Sequence, residues 1–501
     1  MQGESEMISE KLKKAREFEE KFARFVPEDE RPAFHVTGAV GWINDPNGFS
    51  VYKGEYHLFF QYHPYTVQWG PMHWGHVKTR DFIKWERLPV AMAPDTVSDR
   101  SGCYSGSAVE MPDGRQLILY TGMQADYDEY GQMSEIQEQC VAIGDGVNYE
   151  KYEGNPVLTA KDLPEGGSIH DFRDPKLWRE DDGFYYCVVG NRTPDGSGAI
   201  LMYRSADGLH WTYVTTLERC CNELGRMWEC PDFFPLDGKH VLITSPQEMM
   251  PMGLEFHAGF GTVCMIGDYN KMTHEFSREN VSAVDYGLDF YAPQTMETPD
   301  GRRILIAWMQ NWSTTTSRRQ DARIMGEMTL PRELSIRDGR LIQVPVRELE
   351  NYRGHKVSYR NVMVRQEMNL AGVKGRILDM TITVRPAGNV LYHAFRLNVA
   401  KDGENVTTVR YKPENNTVRI DRSRSGFPHD IVNIRELVVR PQDGCVKMRV
   451  ILDKHSMEIF FNDGEQAAST ILYTRPEAQS ISFEAEGDVL MDIEKYDLVF
   501  D

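Results

Sequence analysis

The sequence predicts an all-β protein: a five-bladed β-propeller followed by a C-terminal β-sandwich, with a short N-terminal helix in front. Three observations carry this expectation. An Asp-x-x-x-aromatic element recurs with a period of about 60 residues, ending in turn on Trp85, Tyr149 and Trp211. Strongly apolar strand candidates recur in phase with it, each preceded by a polar or acidic cluster. Beyond about residue 350 these clusters stop while the β pattern continues.

In chain order, Ile8, Leu12, Ala15, Phe18, Phe22 and Phe25 fall at helical spacing among Lys and Glu. This predicts an amphipathic helix over 7–25, ended by Pro27 and packed on the domain that follows. Residues 1–29 are assigned to this extension, 30–345 to the propeller, 346–355 to a linker and 356–501 to the sandwich. The five apolar strands of the propeller are Tyr56–Tyr62, Gln116–Thr121, Phe184–Val189, Lys239–Thr244 and Arg303–Trp308. Their clusters are Asn44-Asp45, Tyr104-Ser105-Gly106-Ser107, Arg173-Asp174-Pro175, Trp228-Glu229-Cys230 and Asp289-Phe290-Tyr291. A fourth copy of the aromatic element, Asp268 to Phe276, carries a short insertion. Innermost propeller strands line a central channel, so equivalent positions of successive blades converge at one mouth. Carboxylates far apart in sequence are then expected to face one cavity. In the sandwich, Arg376–Val384, Val446–Leu452, Met457–Phe461 and Asp488–Ile493 read as strands, with a turn at Asn462-Asp463-Gly464.

Composition narrows the function. The chain has 501 residues, 41% apolar and 26% charged, as an ordinary soluble globular protein does. With 56 basic and 75 acidic residues its formal charge is −19, which argues against a nucleic-acid or anionic-membrane partner and favours a neutral ligand. No apolar run approaches the roughly 18–20 residues of a membrane span, and the charged N-terminus lacks a secretory core, so a cytoplasmic location is expected. Eight cysteines without CxxC spacing read as reduced, mostly buried thiols. His57, His63, His73 and His76 lack zinc spacing, no phosphate-cradling loop or Ser-His-Asp order occurs, and no metal or cofactor is expected. The oligomeric state stays open, with a homodimer among the options.

Cleaving a glycosidic bond takes one carboxylate as nucleophile or base and one carboxylic acid to protonate the leaving oxygen. Asp45 is the nucleophile candidate: Pro46 restrains it, Asn47-Gly48 predicts a tight turn after it, and Trp42 lies beside it. Glu229, between Trp228, Cys230 and Pro231, is the acid candidate, in an apolar setting that favours its protonated form. Asp174 follows Arg173, which is expected to keep it ionised to stabilise an oxocarbenium-like transition state. Trp69 and Trp308 offer flat apolar faces for a sugar, and Asn44, Gln61 and Ser105 offer hydrogen bonds.

These motifs resemble glycoside hydrolase family 32, the invertases and fructan hydrolases, over about residues 34 to 345 closely and the C-terminal domain loosely. They stand here as Trp42-Ile43-Asn44-Asp45-Pro46-Asn47-Gly48, Phe60-Gln61-Tyr62-His63-Pro64, Trp69-Gly70-Pro71-Met72-His73-Trp74-Gly75-His76, Tyr104-Ser105-Gly106-Ser107, Phe172-Arg173-Asp174-Pro175, Trp228-Glu229-Cys230-Pro231-Asp232 and Asp289-Phe290-Tyr291-Ala292-Pro293-Gln294. The resemblance implies the propeller and sandwich and a retaining mechanism through a fructosyl-enzyme intermediate. By motif position Asp45 is nucleophile, Glu229 acid/base and Asp174 stabiliser. It also implies a fructose pocket of Asn44, Gln61, Trp69, Tyr104, Ser105, Arg173, Tyr291 and Trp308, for a small carbohydrate substrate. Two features depart from the family pattern: Tyr104 replaces the usual phenylalanine, and the loop Asn311 to Arg323, with Arg318 and Arg319, differs from bacterial members. That loop is expected to be solvated rather than phosphate-facing. Sucrose, sucrose 6-phosphate and short fructo-oligosaccharides remain open as substrates. A fructosyltransferase, another propeller glycosidase and a catalytically silent sugar-binding protein are the alternative readings.

Overall fold

The computed structural model describes residues 8–315, 321–426 and 432–500. Five antiparallel sheets form a ring in which each innermost strand touches the next and the fifth touches the first. The innermost strands are Gly41–Tyr52, Gly102–Glu110, Arg173–Arg179, Trp228–Leu236 and Tyr291–Glu297. The apolar runs found in the sequence are the second strands, Glu55–His63, Gln116–Tyr127, Tyr185–Arg192, Lys239–Pro246 and Arg303–Trp308. They are buried on both faces because blades pack on either side of them, hence their unbroken hydrophobicity.

The aromatic repeat has a local cause. In the first three blades the Asp side chain caps the turn from third to outermost strand, accepting from the N–H groups two and three residues on. Examples are Lys84 N–H to Asp81 at 2.8 Å and His210 N–H to Asp207 at 2.9 Å. The aromatic residue stands at or just before the outermost strand. In the fourth blade Asn270, rather than the expected Asp268, accepts from Met272 and Thr273. The insertion had hidden the correct capping residue.

The ring closes through the long excursion between the second and third strands of blade 5, Arg303–Trp308 and Arg332–Arg337. Its segment Ile324–Met325 pairs in parallel with Gly41 and Trp42 of blade 1. The N-terminal helix, Glu10–Ala23, is two to three residues shorter at each end than expected. Ser9 caps it, accepting from Leu12 N–H at 3.1 Å, and Leu12 and Ala15 are buried against blade 1.

A short 3₁₀ helix, Arg347–Tyr352, leads to the second domain, a six-stranded and a five-stranded sheet around a common core. All four strands read from the sequence belong to the six-stranded sheet. The other sheet includes Ala394–Asp402, Asn405–Lys412 and Thr417–Arg424, whose alternation of apolar with Arg, Asn and Thr gives a weaker signal.

Buried charges join the two domains. Arg332, fully buried, pairs with Asp285 at 3.0 Å and with Glu458 of the sandwich. His35 bridges Asp453 at 2.8 Å and Glu458 at 3.0 Å. Asp289, in the polar cluster of the fifth blade, pairs with Arg422 of the sandwich, fixing the entry to the fifth innermost strand. Among the described residues no helix is long and apolar enough to cross a membrane.

Candidate active site

Every innermost strand carries the same irregularity at the same height. Two of its residues stand opposite one on the second strand. Asn44-Asp45 faces Gln61, Tyr104-Ser105 faces Thr121, Asp174-Pro175 faces Val189, Cys230-Pro231 faces Thr244, and Ala292-Pro293 faces Ala307. These are β-bulges, which break the ladder and re-aim side chains. A proline has no N–H to lose from the ladder, which suits it to such a place. Asp174, Cys230 and Ala292, each just before a proline, hold φ at 66°, 47° and 50°. Left-handed backbone at non-glycine residues costs on the order of 1–3 kcal/mol each, sustained by the surrounding packing.

The bulge corrects the expectation of equivalent positions. Glu229 is the last paired residue before its bulge, Asp174 the first bulged residue and Asp45 the second. The carboxylates are staggered by one position each, yet all line one cavity of about 470 Å³. Asn47-Gly48 is likewise not a turn; it lies inside Gly41–Tyr52, where Gly48, with φ 53°, makes a second irregularity. A Cβ there would sit 2.5 Å from the Phe59 ring.

Asn44, Gln61, Trp69, Tyr104, Ser105 and Arg173 line the same cavity. Tyr291 and Trp308 do not: both are buried behind it, in a cluster with Trp42 and Met72. Trp312 supplies aromatic wall instead, stacked on Trp42 at 6.3 Å. Glu135, Gln137, Asp171, Gln247, Glu248 and Phe260 also contribute, none of them singled out by the sequence. They come from third strands and loops, outside the blade-phase pattern that located the others. Arg318 and Arg319 lie outside the described residues.

Donors hold the carboxylates in place. Asp45 accepts from Ser105 Oγ at 2.8 Å and Asn44 Nδ2 at 3.1 Å, and Asn44 in turn accepts from Trp42 Nε1 at 2.8 Å. Asp174 accepts from the Cys230 N–H at 3.0 Å, and the Cys230 thiol lies 3.5 Å from Asp45 and 3.6 Å from Asp174. Glu229 Oε1 accepts from Arg173 Nε at 3.1 Å and Nη2 at 3.0 Å, while Oε2 accepts from Tyr291 Oη at 2.6 Å. The setting of Glu229 is therefore polar, contrary to the apolar one its sequence neighbours suggested, because Trp228 turns away into the core.

Burial, with Glu229 beside it, raises the pKa of Asp45 against the pull of Ser105, Asn44 and Cys230. Burial likewise raises Asp174 to about 7; Glu229 and Asp45 add to this, and Arg173 opposes it. Arg173 is 4.0 Å from Asp174 and closer to Glu229, so it does not hold Asp174 ionised as expected. Asp45 and Asp174 are thus both held above the ordinary carboxylate range, chiefly by burial. An arrangement of this kind can both attack a carbon and protonate a leaving oxygen.

The family profile for the glycosyl hydrolases family 32 N-terminal domain matches residues 35–345, and that for the family's C-terminal domain matches 348–497. A raffinose invertase of Escherichia coli is 38% identical over 466 residues, covering 92% of this chain and 93% of its own. A sucrose-6-phosphate hydrolase of Zymomonas mobilis is 36% identical, covering 92% and 90%. Among solved structures, a Bombyx mori β-fructofuranosidase superposes with a TM-score of 0.83 at 32% identity, covering 97% of this chain and 98% of its own.

Proposed function

The chain belongs to glycosyl hydrolase family 32 and is a glycoside hydrolase of the β-fructofuranosidase type; from that premise we propose that it releases terminal non-reducing β-D-fructofuranose through a fructosyl-enzyme intermediate. Asp45 attacks the anomeric carbon as Glu229 gives its proton to the departing glycosidic oxygen. A water molecule then replaces the leaving sugar, Glu229 takes its proton, and the oxygen displaces Asp45. Asp174 binds sugar hydroxyls and offsets the oxocarbenium charge. Arg173 and Tyr291 orient Glu229, while Asn44 and Ser105 orient Asp45.

One observation carries the reading: three carboxylates from blades 1, 3 and 4 meet on one cavity wall, with burial raising the pKa of Asp45 and Asp174. Arg173 and Tyr291 fix Glu229 for proton transfer, and Asn44 and Ser105 fix Asp45 for attack. The test is methanolysis of sucrose with the product anomer identified by NMR. Methyl β-D-fructofuranoside is the expected product. The α anomer would exclude a fructosyl-enzyme intermediate, and failure to release fructose at all would exclude hydrolysis.

A further inference from the structure

The second and third strands of blade 2, Gln116–Tyr127 and Met133–Gly144, are twelve residues each, against eight for Tyr185–Arg192 and Gly198–Ser205 of blade 3. The second strand ends at the cavity mouth, so four extra residues carry the hairpin about 13 Å beyond the ring at about 3.3 Å per residue. Its tip is a built turn: Asp128 accepts from Tyr130 N–H at 2.9 Å and Gln132 N–H at 2.8 Å.

Alternation decides which face looks inward. Gln137 and Glu135 line the catalytic cavity, and Gln137 accepts from Arg173 Nη1 at 3.2 Å. Met133 is on the same face, two residues further out, and Tyr127 pairs directly opposite it. Around this pair a second cavity of about 740 Å³ opens, sharing Glu135, His170 and Asp171 with the first. Tyr127 is 68% exposed and Met133 47%, apolar surface that no part of the chain covers among the described residues.

We propose that this overhang is an outer subsite for the leaving-group side of a neutral oligosaccharide of three or more units. The Tyr127 ring and Met133 thioether offer apolar surface to the C–H face of a sugar ring, while Glu135 and Asp171 at its inner end accept from its hydroxyls. The same carboxylates disfavour a phosphorylated leaving group. This inference rests on the proposed fructosidase reading, since it takes the inner cavity as the seat of the terminal fructose.

The experiment compares kcat/KM on sucrose, 1-kestose, nystose and sucrose 6-phosphate for the native protein and the double variant Tyr127→Ala/Met133→Ala. The native enzyme is expected to favour 1-kestose and nystose over sucrose, and the variant to lose about five- to tenfold on these two but not on sucrose, as the loss of one aromatic contact would give. Sucrose ends within the inner cavity and serves as the internal reference for folding. Equal loss on every substrate, no gain with chain length, or preference for sucrose 6-phosphate would overturn the subsite. So would a changed sedimentation coefficient with unchanged chain-length dependence, which would make the hairpin a contact between copies. Calorimetric binding of nystose and sucrose to Asp45→Ala separates this inference from the fructosidase reading. If nothing is hydrolysed but nystose binds more tightly through Tyr127, that reading falls and the subsite stands; equal binding overturns the subsite.

Discussion

Arg173 and Glu229 occupy the same position in successive blades, each the last paired residue before its bulge, and the arginine places two donors on one carboxylate oxygen at 3.0 and 3.1 Å. Fixing Glu229 this way costs nothing at the moment of reaction, because the geometry is already set by two sheets. A lysine cannot reproduce the fork. Arg173→Lys is expected to lower kcat on sucrose by about a hundredfold, with a smaller change in KM. Steady-state kinetics check this, and an unchanged kcat would remove Arg173 from the orienting role.

The two principal carboxylates should separate by leaving group. Asp45→Ala is expected to lose on the order of 10⁴ or more of the rate on every fructoside, as nucleophile loss does in enzymes whose groups act as a unit. Glu229→Ala is expected to lose about 10³ on sucrose and to recover much of it on an activated fructoside whose leaving group needs no proton. Equal loss on both substrates would take the acid role away from Glu229.

The charge of Glu229 helps hold the pKa of Asp45 above the ordinary carboxylate range. Neutralising it should therefore lower the pKa of Asp45. In Glu229→Gln, the acidic limb of kcat/KM on an activated fructoside is expected to move to lower pH, since that limb reports the ionisation of the free enzyme's nucleophile. A limb that stays in place, or moves to higher pH, would show that the two groups are uncoupled.

Domain association should depend on pH through His35. Burial alone would lower its pKa, but hydrogen bonds and charge from Asp453 and Glu458 outweigh this and raise it to about 10. A histidine whose pKa is higher folded than unfolded stabilises fully below its unfolded pKa of about 6.5 and loses that contribution as pH rises through the folded value. His35→Gln, which leaves buried carboxylates without their cation, is expected to cost about 3 kcal/mol near pH 6. The gap in Tm between native and variant should narrow steadily from pH 6.5 towards 10. A gap independent of pH would mean that His35 is held neutral.

The bulge at the fifth blade is strained where nothing chemical requires it. Ala292 holds φ at 50° and is 1% exposed. Ala292→Val combines a β-branched side chain with left-handed backbone in a packed site, and is expected to cost about 2–3 kcal/mol. Ala292→Gly should be near neutral or slightly stabilising. Thermal unfolding distinguishes them, and equal Tm values would show that the backbone relaxes there.

Much of this molecule is written locally. The repeat that marks the blades is an Asp side chain bonding N–H groups two and three residues on, so it survives in sequence wherever the turn survives. The second strands announce themselves because both their faces are buried, and the helix because only one stripe of it is. The polar clusters, too, stand where an innermost strand begins, which is enough to bring Asp45, Asp174 and Glu229 to one mouth. What the tertiary structure decided is which atom meets which. A bulge is a relation between two strands, and neither strand alone shows that one residue will be skipped; hence the one-step stagger of the carboxylates. Arg173 lies beside Asp174 in sequence, but the turn of the bulge carries that neighbour away and leaves the guanidinium facing the next blade's Glu229. Asp289 meets Arg422 across a domain boundary, and Trp308 gives its expected place to Trp312, which stacks on Trp42 and lines the cavity wall. Spacing along a chain reports which face a side chain takes within its own element, whereas its partner depends on how separate elements pack, and that is settled only when the ring has closed.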